Sequence, residues 1–197
     1  MSARDITLDD VNAVRLFLKD IGEDPHREGL EDTPHRFIKS WRFLNSGYEV
    51  NADDIIKTFV DGSERYDGIV FQGRIPLYSL CEHHLAPFFG VAHVGYIPSK
   101  SIVGLSKIAR VVDIFARRLQ VQERLTRQVA EVLMSTLQPE AVGVVLKCRH
   151  LCMESRGIQK PGTITHTSTM LGEFRTEPEA RSEFMQLVAS AEIGLTI

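Results

Sequence analysis

The chain is sparing in several respects. It has only three cysteines, Cys81, Cys148 and Cys152. An odd number without a paired framework excludes a disulfide-stapled scaffold and fits a reducing compartment. No apolar run approaches the roughly 20 residues that a membrane-spanning helix needs. The first residues, Met1-Ser2-Ala3-Arg4-Asp5, turn acidic at once and lack the apolar core of a signal peptide. Neither sign of charge dominates. A formal net charge of -3 argues against a bulk nucleic-acid binder or a membrane-surface protein, though not against a local basic pocket. The expectation is a cytoplasmic protein with no nucleic-acid and no membrane partner. Internal repeats and low-complexity tracts are lacking too.

What remains is ordinary for a globular protein, with 43% hydrophobic and 25% charged residues. A chain of 197 residues can bury a core without metal or disulfide staples. Helical spacing of Leu8, Val11, Val14 and Leu18 predicts a helix over 7–21, with Thr7 and Asp10 as its capping box and Gly22 as its stop. Thr33-Pro34 signals a second start, carried on by Phe37, Ile38, Trp41 and Leu44. A short helix is expected around 53–59. The composition then turns β-rich, predicting strands at 69–71, 75–80 and 88–97. From Ser106 the period becomes helical through Leu119, and a further helix follows Gln122 and ends before Pro139. Strands are predicted at 141–150 and 163–170. Thr176-Glu177-Pro178-Glu179 reads as a capping box opening a last helix to about residue 191. Strands adjacent in sequence with short connections favour antiparallel pairing, hence α+β. Residues 1–60 read as an N-terminal helical region, forming one compact unit with 61–197.

The chemistry concentrates in Cys81-Glu82-His83-His84 and in His150-Leu151-Cys152, each at the end of a strand-like run. Thiolate and imidazole are the ligands zinc prefers, and a structural site normally shows four. Three stand out here, Cys81, His84 and Cys152. Three ligands with an open fourth position describe a zinc that activates water. His83 and His150 lie beside or near the ligands, where a proton donor is useful. A structural zinc with His83 or His150 as fourth ligand is the alternative. Cys148 reads first as a small buried apolar side chain, although a thiol so near the ligands invites oxidation.

A second constellation is Gly104-Leu105-Ser106-Lys107-Ile108-Ala109-Arg110. Ser106 sits where a helix begins, and Lys107 and Arg110 oppose the usual preference for acidic residues there. A phosphate bound at the helix N-terminus makes sense of that placement; a solvated basic face explains it equally well. Arg156 falls four residues after Cys152, which tethers a cation near the proposed metal. Gln122-Glu123 precedes an apolar helix face, and Glu123 is either an ordinary first-turn acid or a carboxylate that reads a ring N–H and an amino group.

Several motifs in fixed order carry a resemblance. They are Ile21-Gly22-Glu23-Asp24-Pro25 with Arg27-Glu28-Gly29-Leu30, Thr33-Pro34-His35-Arg36, Ser79-Leu80-Cys81-Glu82-His83-His84-Leu85 and Gly95-Tyr96-Ile97-Pro98. They continue with Gly104–Arg110, Gln120-Val121-Gln122-Glu123-Arg124, His150-Leu151-Cys152-Met153 and Thr169-Met170-Leu171-Gly172. Over about residues 7–190 the chain resembles the zinc-dependent GTP cyclohydrolase I family. The resemblance implies a T-fold catalytic domain over 61–197, an antiparallel sheet with helices on one side. It also implies a toroidal homodecamer of two pentamers with active sites at subunit interfaces. The implied reaction converts GTP and water to formate and 7,8-dihydroneopterin triphosphate, a first step towards pterins and folates. Position by position, it makes Cys81, His84 and Cys152 the Zn2+ ligands and His83 and His150 the catalytic histidines. Gln122 and Glu123 become the purine-reading pair. Ser106, Lys107, Arg110 and Arg156 face phosphate or ribose, and Arg36 reaches a triphosphate in a neighbouring subunit. The rivals are a related pterin or deazapurine enzyme on the same fold and a non-catalytic, zinc-stabilised oligomer.

Overall fold

The computed structural model describes residues 5–60 and 66–191. The expected boundary at residue 61, and residues 1–4, lie outside the described residues. The chain opens with helices α1 (Leu8–Asp20) and α2 (Thr33–Leu44). The capping box of α1 forms as read: Thr7 Oγ1 accepts from Asp10 N–H at 3.2 Å and Asp10 accepts from Thr7 N–H at 2.9 Å. In α2, Thr33 is already helical and Asp32 takes the cap position, without a side-chain capping bond.

Five strands build the main sheet in the order β5-β2-β3-β6-β7. These are β2 (Val70–Cys81), β3 (Pro87–Ile97), β5 (Leu119–Gln120), β6 (Ala141–His150) and β7 (Ile164–Gly172). The neighbours β2, β3, β6 and β7 pair antiparallel, as the short connections predict. The short β5 runs parallel to the end of β2, Leu80 opposite Leu119 and Cys81 opposite Gln120. A separate ribbon pairs β1 (Thr58–Phe59) with β4 (Ile102–Val103). The stretch expected to be a short helix around 53–59 therefore ends as a strand. The two strand predictions flanking Gly73 are one strand interrupted by a bulge between Gln72 and Ile75, where Arg74 takes φ 57°.

Two long helices, α3 (Leu105–Ala116) and α4 (Gln122–Leu137), cover one face of the sheet. Alternate residues supply that face: Ile75 and Leu77, then Ala92, Val94 and Tyr96, then Val142, Val144 and Leu146. They pack against Ile108, Val111 and Val112 of α3 and Leu125, Val129 and Leu133 of α4. Burying each of the Val, Leu and Ile side chains among them contributes roughly 1.5–3 kcal/mol, so this layer is the main source of stability. Leu119, read as the last residue of the α3 stripe, instead begins β5.

Beyond β6 lies a one-turn helix, α5 (Leu151–Glu154), and beyond β7 come α6 (Glu173–Thr176) and α7 (Pro178–Ser190). The capping box expected at 176–179 does not form, because 173–176 is already helical and Glu177 caps α7 without a side-chain bond. Helix α7 adds a smaller layer on the opposite face of the sheet, with Phe184 packed among Ala141, Val145 and Phe174. Phe184 fits because Gly95 and Gly143, paired across β3 and β6, have no side chains. A Cβ on either would come within 2.8 Å of its ring. No helix among the described residues is long and apolar enough to cross a membrane.

Candidate metal centre and active site

Strand β2 ends in a tight turn that brings two of the expected ligands together. The N–H of Cys81 donates to Ala86 O at 2.9 Å, and the N–H of Leu85 donates back to Cys81 O at 2.8 Å. Leu85 accepts φ 53° to close the turn. Cys81 Sγ then lies 3.6 Å from His84 Nδ1. Cys152 comes from α5, two residues beyond the His150 cap. The ligand atoms of Cys81, His84 and Cys152 all fall within 4.8 Å of one another. Among the described residues this is the group that could hold a metal ion.

The donor set fits zinc. Bond lengths of about 2.3 Å to sulfur and 2.0–2.1 Å to nitrogen, at tetrahedral angles, separate the two ligand atoms by about 3.6 Å. Two clustered thiols without a cation oppose each other's ionisation. Burial, and then the nearness of Cys81, pushes the Cys152 thiol up, while the Arg156 cation pulls it down. A bound cation removes that conflict, since metal-bound thiols are deprotonated.

Neighbouring side chains hold the two ligand segments. The carboxylate of Glu82 pairs with Arg124 of α4, whose Nε donates to Gln120 Oε1 at 3.2 Å. Gln120 is 1% exposed, and its amide donates to Phe115 O at 3.0 Å and Gln128 Oε1 at 2.8 Å. On the other segment Arg149 grips Glu154 through two bonds of 2.9 and 2.6 Å, tying the end of β6 to α5. That guanidinium holds the Glu154 carboxylate below its usual range. Spacing gives no sign of the pairing of Glu82 with Arg124, although both residues lie inside recognised motifs.

The two histidines differ sharply. His83 is exposed at the turn, its Nε2 3.9 Å from Glu82 Oε1 and its ring edge-on to His84 at 6.2 Å between centroids. His150 is half-buried and stacked on Phe88, centroids 4.6 Å apart and planes 10° from parallel. Its Nε2 meets Gln122 Oε1 at 2.8 Å. Burial lowers the pKa of His150, and the charge of Glu123 partly offsets this. Cys148 is 1% exposed, and burial pushes its thiol up to about 12. The suggestion of an oxidation-prone thiol is therefore corrected: Cys148 is a core side chain.

The expected substrate residues are only partly assembled. Glu123 is exposed in the first turn of α4, beside His150, and Gln122 is 2% exposed with its amide engaged inside the protein. Arg156 is exposed and acts electrostatically on Cys152. Ser106 and Arg110 are exposed and Lys107 is half-buried on the first turns of α3, which holds no acidic residue there. Helix α3 leads into β5 beside Cys81, so Lys107 stands more than two turns, roughly 13 Å, from the end nearer the metal centre. Arg110 lines a cleft of about 150 Å³ with Ser46, Asp113 and Arg117. Arg36, on α2, pairs with Asp32 at 3.0 Å at the surface. No described contact joins Ser106, Lys107, Arg110 or Arg36 to the Cys81–His84–Cys152 cluster.

The sequence profile of the family described as GTP cyclohydrolase I matches residues 11–189. A protein of Nitrosospira multiformis named GTP cyclohydrolase 1 is 55% identical over 175 residues, covering 89% of this chain and 92% of that protein. One of the same name from a Janthinobacterium species is 54% identical, covering 88% of this chain and 87% of its own. A third, from Leptospira biflexa serovar Patoc, is 52% identical over 90% of this chain and 96% of its own length. A profile match across nearly the whole chain, with relatives above half identity, leaves one assignment: the chain belongs to the GTP cyclohydrolase I family.

Proposed function

We propose that the protein is a zinc-dependent GTP cyclohydrolase I, which opens the purine of GTP at C8, releases formate and yields 7,8-dihydroneopterin triphosphate. The observation that carries the reading is the Cys81–His84–Cys152 cluster with His150 and Glu123 close by, in a chain of this family. Zinc bound there supplies a Lewis acid and lowers the pKa of a coordinated water toward about 7.

The protein's own groups do the rest. C8 of a neutral purine is a poor electrophile, and a proton on N7 corrects that. His83, exposed beside the ligand His84, is the donor, because an imidazole placed there can hand a proton to the base. His150 handles protons at the ribose ring oxygen as the sugar opens and rearranges. Glu123 accepts hydrogen bonds from the guanine N–H and amino group. Arg156 adds positive charge on the phosphate side of the metal centre.

Ser106, Lys107 and Arg110 form an anion clamp on α3, with Arg36 as a further cation. Their distance from the metal centre of the same chain supports a site completed across a subunit interface. Strand β7 at one edge of the sheet, half-buried to exposed along its length, suits the subunit contacts of a toroidal assembly of two pentamers. The clamp positions the purine, and positioning of this kind contributes on the order of 7–11 kcal/mol to lowering a barrier. Such a protein works in the cytoplasm on a free nucleotide, without nucleic-acid or membrane partners.

The test is direct. Zinc-loaded protein incubated with GTP, then oxidised, should give the fluorescence of neopterin phosphates. Tight zinc binding without any GTP consumption would instead favour the zinc-stabilised, non-catalytic oligomer.

A further inference from the structure

Gln122 is not free to read a base. Its side chain is 2% exposed, and its Nε2 lies 3.2 Å from Leu146 O, 3.0 Å from Thr165 O and 3.1 Å from Thr167 Oγ1. Carbonyl oxygens only accept hydrogen bonds, so the NH2 end of the amide must face them. The flipped amide would set its oxygen against two carbonyl oxygens with no hydrogen between them. The partners therefore fix which end is which, and Oε1 is the end that meets His150 Nε2 at 2.8 Å. An amide oxygen cannot donate. The hydrogen in that contact belongs to His150 Nε2.

From this we infer that Gln122 is a positioning residue: it locks His150 as the Nε2–H tautomer and leaves Nδ1 as the bare ring nitrogen that faces the reaction. The inference rests on the reading of His150 as a catalytic group of the cyclohydrolase reaction. Three further contacts support it. Phe88, stacked beneath the ring, fixes its plane. Thr126 Oγ1 donates to Gln122 O at 2.7 Å and meets Thr167 Oγ1 at 2.6 Å, which braces the amide from below. With Nε2–H held by Gln122 and the ring stacked on Phe88, the orientation of the imidazole is fixed. The same arrangement divides the Gln122-Glu123 pair. With both amide hydrogens consumed inside the protein, base selection falls to Glu123.

Ring 15N spectra of the zinc-loaded protein labelled at histidine test the tautomer without turnover, the His150 signals being those missing from His150→Ala. The expected result is a protonated Nε2 and a bare Nδ1. A protonated Nδ1 with a bare Nε2 overturns the inference even if GTP is turned over normally. Gln122→Met keeps the length and removes the acceptor. It should mix the tautomers and lower kcat about tenfold or more, a part of the roughly 10²–10⁴-fold that a positioned acid or base contributes. KM for GTP and the preference for GTP over ITP, which lacks the 2-amino group, should stay unchanged, whereas Glu123→Gln should erode that preference. A Gln122→Met protein with unchanged kcat and a lost preference for GTP would overturn the division of roles. Should Gln122→Met fail to fold, the spectrum of the parent protein still decides the tautomer. A parent protein inert towards GTP contradicts the proposed function and leaves the tautomer measurement standing.

Discussion

Cys81 Sγ and His84 Nδ1 stand 3.6 Å apart, the separation that two ligands of one tetrahedral zinc adopt. The turn that sets this distance is fixed by its own backbone bonds and by the pairing of Glu82 with Arg124. The candidate metal centre is thus prearranged on one side and receives Cys152 from the other.

Replacing Cys152 with alanine should leave two ligands and an ion too weakly held to survive purification. Metal analysis is expected to find about one zinc per chain in the parent and a small residue in Cys152→Ala. A full complement in the variant would remove Cys152 from the ligand set.

Alanine at His83 or His150 should keep zinc and lose turnover. Neither belongs to the Cys81–His84–Cys152 cluster, His83 lying exposed beside it and His150 turned towards Gln122. A positioned acid or base contributes roughly 10²–10⁴-fold, and each variant should lose activity on that scale. If either protein arrives metal-free, the site is a structural one with four ligands.

The ordering of elements was legible in the sequence because periodicity reports burial. Strand β6 and helix α4 have the expected bounds, and the capping box of α1 forms because both partners are local. Non-local pairings explain the differences. Thr58 and Phe59 are extended because Val103 and Ile102 lie opposite, and Leu119 leaves the helix because Leu80 pairs with it. The Cys81–His84–Cys152 cluster was legible as residue types at strand ends. The amide clamp on His150 was not, since Gln122, Thr165 and Thr167 meet only when β7 pairs with β6 and α4 covers them.

Cys148 should behave as a core residue. Its folded pKa, raised to about 12 by burial, lies above the ordinary thiol value of roughly 8.5. Below that ordinary value both states keep the proton and the stability is fully present. As pH rises, the unfolded chain loses the proton first, and stability falls by roughly 1.4 kcal/mol per pH unit for this one group. Cys148→Ala should flatten that part of the slope in denaturation curves taken above pH 9. Iodoacetamide should spare Cys148 in the native protein at pH 8 and modify it in denaturant, as mass spectrometry of its peptide can show. Rapid labelling of the native protein would contradict its burial.

Arg110→Ala and Arg156→Ala should weaken GTP binding with zinc content and oligomer size unchanged. Each lost charge-assisted contact is expected to cost on the order of 1.5–3 kcal/mol, about ten- to a hundredfold in affinity. Binding by the parent should weaken with salt, because exposed charges are screened over roughly 10 Å at 0.1 M. Equal affinity for guanosine and GTP, without salt dependence, would mean that the start of α3 is a solvated basic face.

The fate of one carbon tests the central claim most directly. GTP carrying 13C at C8, given to zinc-loaded protein and followed by NMR, should release labelled formate in step with the formation of dihydroneopterin triphosphate. Chelation of the metal, or loss of Cys152, should stop both together. Label retained in a ring or formamide product, or GTP left intact by fully zinc-loaded protein, would contradict the assignment of Cys81, His84, Cys152, His83 and His150 as a cyclohydrolase centre.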